Sequence, residues 1–171
     1  MTSLKIPLTG KRAAGRVAIV DAGDYDLMST HRWHVREKVR PAGNRWGPWA
    51  VTSARAEDGR LTTIAMHTMI TGWALVDHVN TNGLDNRRVN LRPATIAQNR
   101  HNSRPNHGTS SHFKGVTWHK ANGKWQAGIK IDGKNRYLGI FASEVEAARV
   151  YDAAALDAFG EFAYLNFPEV A

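Results

Sequence analysis

Between His67 and His101 the chain reads HTMITGWALVDHVNTNGLDNRRVNLRPATIAQNRH. Asp77 and His78 stand together at the end of an apolar run, Trp73 to Val76. A turn-rich loop follows from Asn80 to Arg88, then Asn90 and Leu91, then a segment carrying Gln98 and Asn99. An acid, an imidazole and two carboxamides on three consecutive short elements can form one compact metal site. Asp77 is a hard oxygen ligand of the kind Mg²⁺ takes, and Asn99 offers a carbonyl oxygen of the same kind. An imidazole with a pKa of roughly 6.5 takes a proton from water near neutral pH. Asn90, by accepting the other ring proton of His78, would set its tautomer. Five arginines, Arg87, Arg88, Arg92, Arg100 and Arg104, surround these groups. Cutting a phosphodiester needs an activated water, neutralised charge in the transition state and help for the leaving oxygen, and one divalent ion serves the last two needs.

Neighbours on a strand point to opposite faces, so Asp77 and His78 reach one centre only if the strand ends there. The turn residues that follow make that end plausible. Ala74–Val79 and Leu91–Ala94 read as strands with an Asn82-Gly83 turn between them, and His67–Gly72 as a helical turn closed by glycine. Thr95 with Gln98 three places on is a capping box opening a helix through about Asn102. Ahead of the motif, Arg16–Val20, Trp33–Arg36, Trp49–Arg55 and Leu61–Met66 have strand patterning. Asp21–Asp26 reads as a turn and Tyr25–Arg32 as a short helix. Core packing is the expected role of Trp33 and Trp49. Residues 1–65 are therefore an N-terminal β-rich region, 66–103 the motif, and the polar stretch 104–111 a linker.

The final segment, 112–171, has its own plan. Lys114–Trp118, Trp125–Ile131 and Arg136–Phe141 are strand-like, with Asn122-Gly123 and Asp132-Gly133 at the tight turns between them. Ser143 with Glu146 forms a capping box, and Gly160 closes the helix that it opens. Ala147, Ala148, Tyr151, Ala154, Ala155 and Ala158 give that helix a small-residue face suited to a three-stranded sheet. The whole chain is α+β.

Composition narrows the partners. The formal charge is +8, from 23 basic against 15 acidic residues among 171, which favours a polyanion such as nucleic acid. Cysteine is absent, excluding disulfides and Cys-ligated zinc. No window approaches the ~20 apolar residues of a spanning helix, and the first residues lack a signal-peptide core. An intracellular protein without membrane association is expected. His101, His107, His112 and His119 lack regular ligand spacing, so a zinc site there is not expected.

The run V-D-H-V-N…N-G-L-D-N-R-R-V-N-L-R…A-Q-N-R closely resembles the HNH endonucleases of phage and intron homing systems, over about Met66 to Arg104. I-P-L-T-G-K and D-Y-D-L-M-S-T-H-R-W also look like the N-terminal part of such proteins. The resemblance implies a ββα-metal site: Asp77 and Asn99 as ligands of one Mg²⁺ (or Mn²⁺), His78 as general base and Asn90 as its orienter. His67 corresponds to a histidine commonly preceding the motif, in phosphate contact or local structure. One departure is Asn99 where the third motif letter is usually His. An Asp-His pair alone is usually a mere turn, and it is four motif residues in register that reverse those odds.

S-H-F-K-G-V-T-W-H-K…G-K-W-Q-A-G-I-K…R-Y-L-G-I-F-A-S-E-V-E-A-A-R-V-Y-D…L-N-F-P resembles the AP2 DNA-binding domain nearly end to end. The resemblance implies three antiparallel strands and a helix, with the sheet laid in the DNA major groove. Matching positions give Lys114, Trp118, Lys120, Lys124, Trp125, Lys130, Arg136 and Tyr137 as the contact set, beside Arg87, Arg88, Arg92 and Arg100 from the motif. For Trp125 and Tyr137, core packing is an equal alternative. The expected function is a divalent-metal-dependent HNH DNA endonuclease that hydrolyses phosphodiester bonds of double-stranded DNA, tethered by the AP2-like module. One centre per chain implies a nick, with a monomer expected and a dimer the route to a double-strand break. The resemblance implies a mobile-element or phage setting, in a bacterial cytoplasm or a phage's host cell. The alternatives are a DNA-binding regulator with an inert nuclease motif and a protein acting on structured RNA.

Overall fold

Apolar residues at alternate positions of two short strands begin the fold. In the computed structural model, which describes residues 2–39, 45–55, 58–106 and 108–168, β1 (Ser3–Pro7) pairs antiparallel with β2 (Val17–Asp21). Ile6, Ala18 and Val20 turn inward. Helix α1 spans Ala22–Ser29, starting ahead of the expected Tyr25. Asp21 stands at its cap and Asp24 in its first turn, where the helix dipole favours acidic groups. The segment Asp21–Asp26 is therefore not a turn.

Strands β3 (His34–Val39), β4 (Arg45–Arg55) and β5 (Leu61–Ala65) form an antiparallel sheet in that order. Trp33 lies in the core, as the sequence suggested, and its indole N–H donates to the Met28 carbonyl at 2.7 Å. Helix α2 (Met66–Thr71) ends at Gly72, which adopts the left-handed conformation expected of a closing glycine. Then β6 (Val76–His78) pairs with β7 (Leu91–Pro93). One continuous core runs from Ile6 and Met28 through Trp33 and Ala50 to Met66, Leu84 and Leu91. The N-terminal strands and the two motif strands thus share a single apolar interior.

The chain divides into two compact units after residue 96. The second contains nearly all of α3 (Ile96–His101), then β8 (Val116–His119), β9 (Lys124–Ile131), β10 (Lys134–Phe141) and α4 (Glu144–Phe159). Its sheet is antiparallel with β9 in the centre. Ser143 caps α4, its Oγ accepting the Glu146 N–H at 3.4 Å. Ala147, Ala148, Tyr151 and Ala155 are buried on that helix, while Ala158, expected on the same face, is exposed. Gly115 permits the packing: a Cβ there would overlap the Tyr151 ring.

Candidate functional site

Strand β6 ends at His78, whose carbonyl accepts the Thr81 N–H at 2.8 Å and turns the chain. Asp77 and His78 are both buried, 4 % and 6 % exposed, where a regular strand would have sent them to opposite faces. Asp77 lies opposite Arg92 in the ribbon, and His78 opposite Leu91. The Arg92 guanidinium closes on one carboxylate oxygen: Nε and Nη2 lie 2.9 and 2.7 Å from Asp77 Oδ2.

Behind this pair the loop is built from short polar side chains. Asn80 Oδ1 accepts the Asn82 N–H, and Asn82 Oδ1 accepts the Leu84 N–H. Asn90 ties both ends: its Oδ1 accepts the Asn80 N–H at 2.9 Å and its Nδ2 donates to the Asp85 carbonyl at 2.7 Å. Asp85 takes Asn80 Nδ2 at 2.8 Å and Arg87 in a fork at 2.8 and 2.6 Å. The Arg87 hydrogen bond holds its carboxyl below the usual range against the opposing effect of burial. The loop also lies along β2, with Ile19 N–H donating to Leu84 O and Asn86 N–H donating to Ile19 O. A Cβ at Gly83 would strike the Trp49 ring, so only glycine allows that approach.

His67, on α2, packs edge-on against His78 with ring centroids 5.0 Å apart. Burial, and secondarily His78, pushes the His67 pKa down to about 4, so this ring is neutral at ordinary pH. Burial likewise lowers the His78 pKa, opposed by Asn86 and by the carboxylates of Asp77 and Asp85. A neutral imidazole is the form that accepts a proton. Asn86 is wholly buried beside it, yet neither polar atom of its carboxamide completes a hydrogen bond among the described residues.

Of the arginines around the motif, Arg87 and Arg92 hold the carboxylates just described. Arg88 forks onto Asp24 at 2.9 and 2.7 Å, and its backbone N–H meets Asp21. These partners lie in the first unit. Arg100 is exposed on α3, which also carries Asn99 at the start of the second unit.

In the second unit the strand register sorts the expected contact residues by face. Val116, Ala127 and Ile129 pack toward α4. Trp118 pairs with Trp125 two places along from Val116 and Ala127, so both share that side, their rings edge-to-face at 5.0 Å. Trp125 packs against the core. Arg136, opposite Ile129, also belongs to the α4 side, though exposed at the edge. Lys124 and Lys130 alternate onto the opposite face, joined there by Tyr137, which lies opposite Gly128 and is 65 % exposed. Lys120 is exposed in the turn after β8.

Lys114 is turned toward α3. Its ammonium lies 2.6 Å from the His101 carbonyl, 2.7 Å from that of Ser103 and 3.4 Å from that of Arg100, at the end of α3. Burial lowers its pKa to about 8. Asn166 grips its backbone from both sides, accepting the N–H at 2.7 Å and donating to the carbonyl at 3.1 Å. Asp152 on α4 in turn receives Asn166 Nδ2 at 2.9 Å. Sequence reasoning missed Asp85, Asn86, Asp152 and Asn166. The first two stand inside the D-N-R-R run and the last inside L-N-F-P, so the motifs contained them without marking their partners. Of the four histidines weighed for zinc, His107 lies outside the described residues. Among the described residues, His101 stacks on Phe159, His112 stands 3.8 Å from Glu144, and the buried Nδ1 of His119 makes no hydrogen bond.

No protein-family profile matches the chain. Over 155 residues it is 28% identical to an uncharacterized HNH endonuclease of Acanthamoeba polyphaga mimivirus, covering 91% of this chain and 77% of that protein. Over 60 residues, 34% of the chain, it is 52% identical to APETALA2-like protein 2 of Oryza sativa subsp. indica. It is 48% identical over the same length to an AP2-like ethylene-responsive transcription factor of Arabidopsis thaliana. These matches span 14% and 12% of the plant proteins' own lengths. The chain is therefore homologous to an HNH endonuclease along most of its length and to AP2 domains along about a third.

Proposed function

We propose that this protein is a divalent-metal-dependent HNH endonuclease that nicks double-stranded DNA and holds it with an AP2-like sheet. The observation that carries the reading is the burial of Asp77 and His78 side by side at a strand end, against a loop held by Asn80, Asp85 and Asn90. That is the layout of a preorganised reactive centre. The donors fit a hard cation: Asp77 is a buried carboxylate oriented by Arg92, and Asn99 is taken as the second ligand through its amide oxygen. When bound, such an ion would offset charge on the scissile phosphate and ease departure of the leaving oxygen.

The chain's own residues do the rest. His78, neutral because it is buried, takes a proton from water as the oxygen attacks phosphorus. The bond to the 3′ oxygen breaks, that oxygen regains a proton from solvent, and the ends are a 3′ hydroxyl and a 5′ phosphate. His67 supports the His78 ring edge-on, and Asn90 fixes the loop beside it. Lys124, Lys130 and Tyr137 on the outer sheet face, with exposed Lys120 and Arg100, are the groups placed to meet phosphate and sugar. One centre per chain gives one cut strand.

The test is a supercoiled plasmid incubated with Mg²⁺ or Mn²⁺ and either wild type or His78→Ala. Wild type should yield open circles, and His78→Ala should yield none while binding DNA normally. Absence of nicking by wild type with either metal would replace this reading with a DNA-binding regulator.

A further inference from the structure

Helix α3 is too short to stand by itself. Six residues make fewer than two turns, below the length at which helices persist unaided, and none of the six is buried. Its orientation must come from what grips it, and the structure shows the grip. Lys114 donates to the carbonyls of His101 and Ser103, at and just past the helix end, and more distantly to that of Arg100, which also accepts the Ser103 N–H and hydroxyl. The His101 ring stacks on Phe159 with centroids 3.7 Å apart and planes 13° from parallel. The His101 carbonyl also accepts the Tyr164 N–H at 3.3 Å, and the Tyr164 ring lies 5.4 Å from the Lys114 ammonium. Lys114 is itself anchored at its backbone by Asn166, which Asp152 holds in turn.

From this clamp we infer that Lys114 is a positioning residue for α3 and the Asn99 it carries. The inference rests on the nuclease reading proposed above. It departs from the AP2 resemblance, which would put Lys114 against DNA. A side chain with its ammonium turned onto α3 carbonyls is not presented to phosphate. Displacements near one ångström degrade a reactive centre, so a loosened α3 should be felt in metal binding.

The experiment uses the full chain as wild type, Lys114→Met, His101→Ala and Asn99→Ala. Lys114→Met keeps the aliphatic stem and removes the donors, while His101→Ala removes the ring stack and leaves Lys114 untouched. Three quantities are read: hydrogen exchange of the α3 amides, Mn²⁺ binding by calorimetry, and DNA affinity without metal at two salt concentrations. Lys114→Met and His101→Ala should each speed α3 exchange and weaken Mn²⁺ binding about tenfold, as loss of groups behind a ligand does. Asn99→Ala should weaken Mn²⁺ binding without loosening α3. Metal-free DNA affinity should not change in Lys114→Met. Wild-type Mn²⁺ affinity in Lys114→Met would overturn the inference, as would a lower DNA affinity with a shallower salt slope, which marks a phosphate contact. If the wild type neither binds Mn²⁺ nor nicks, the nuclease reading itself falls, a failure visible before any variant is compared.

Discussion

Asp77 and Arg92 face each other across the β6–β7 ribbon, and both side chains are largely withdrawn from water, 6 % and 13 % exposed. Removing the cation of such a pair leaves a buried carboxylate without its main compensation, at a cost of about 3–5 kcal/mol. Arg92→Leu should therefore lower the melting temperature markedly in the presence of chelator. A divalent ion on Asp77 would replace part of the lost charge, so added Mn²⁺ should recover more stability in Arg92→Leu than in wild type. Thermal unfolding with and without metal checks both statements. An equal metal response in the two proteins would show that no cation reaches Asp77.

Asn90 has a structural task that is separable from any role at the imidazole. Its carboxamide joins the Asn80 N–H to the Asp85 carbonyl, and Asn90→Ala leaves both without that partner. The expected loss is about 2–4 kcal/mol, most of it the penalty for unsatisfied polar groups. Hydrogen exchange at Asn80, Asn82 and Leu84 should quicken well beyond that of β1 and β2. A residue that merely set the tautomer of His78 would leave those amides unchanged.

Acid should unfold the first unit through its histidines. Folding lowers the His67 pKa from 6.5 to about 4, so between these values the unfolded chain binds more protons than the folded one. The contribution is fully present above the unfolded pKa and declines as pH falls through this window. From pH 7 to pH 5 the loss is about 2 kcal/mol. Native-state hydrogen exchange of β1 and β2 at the two pH values measures it. His67→Gln should flatten the dependence, leaving the share due to His78, whose pKa is lowered in the same direction.

What could be read from the sequence was local. Gly72 after an apolar turn, Ser143 with Glu146, and the Asn-Gly and Asp-Gly pairs state their conformations through their own chemistry, and those elements formed where the turns and caps pointed. The adjacency of Asp77 and His78 was equally plain. Partnerships between distant residues were not. Arg88 meets Asp24 from 64 positions away, so that ion pair could not be foreseen. Lys114 belongs to a strand-like segment, yet its partners are carbonyls of an earlier helix. The faces of Trp125 and Arg136 depended on register, and a shift between Tyr137 and Gly139 makes the β10 alternation unreadable without its partner strand.

Register also yields a quantitative statement about DNA. Lys124 and Lys130 lie on the outer face of β9, away from α4, and Tyr137 stands beside them on β10. If each lysine neutralises one phosphate, Lys124→Ala with Lys130→Ala should reduce the slope of log affinity against log salt by about 1.8, from roughly 0.9 per contact. Tyr137→Ala should weaken binding at every salt concentration and leave the slope alone, because a ring on a sugar or base releases no counterion. Trp125→Ala behaves differently in principle. Its ring packs against Val116, Ala127 and the alanines of α4, so its loss makes a cavity costing about 3–5 kcal/mol in the second unit. Salt titrations of the three variants, made at a temperature where each is folded, separate the cases. A full-sized slope in the double lysine variant would mean that the DNA lies on another surface.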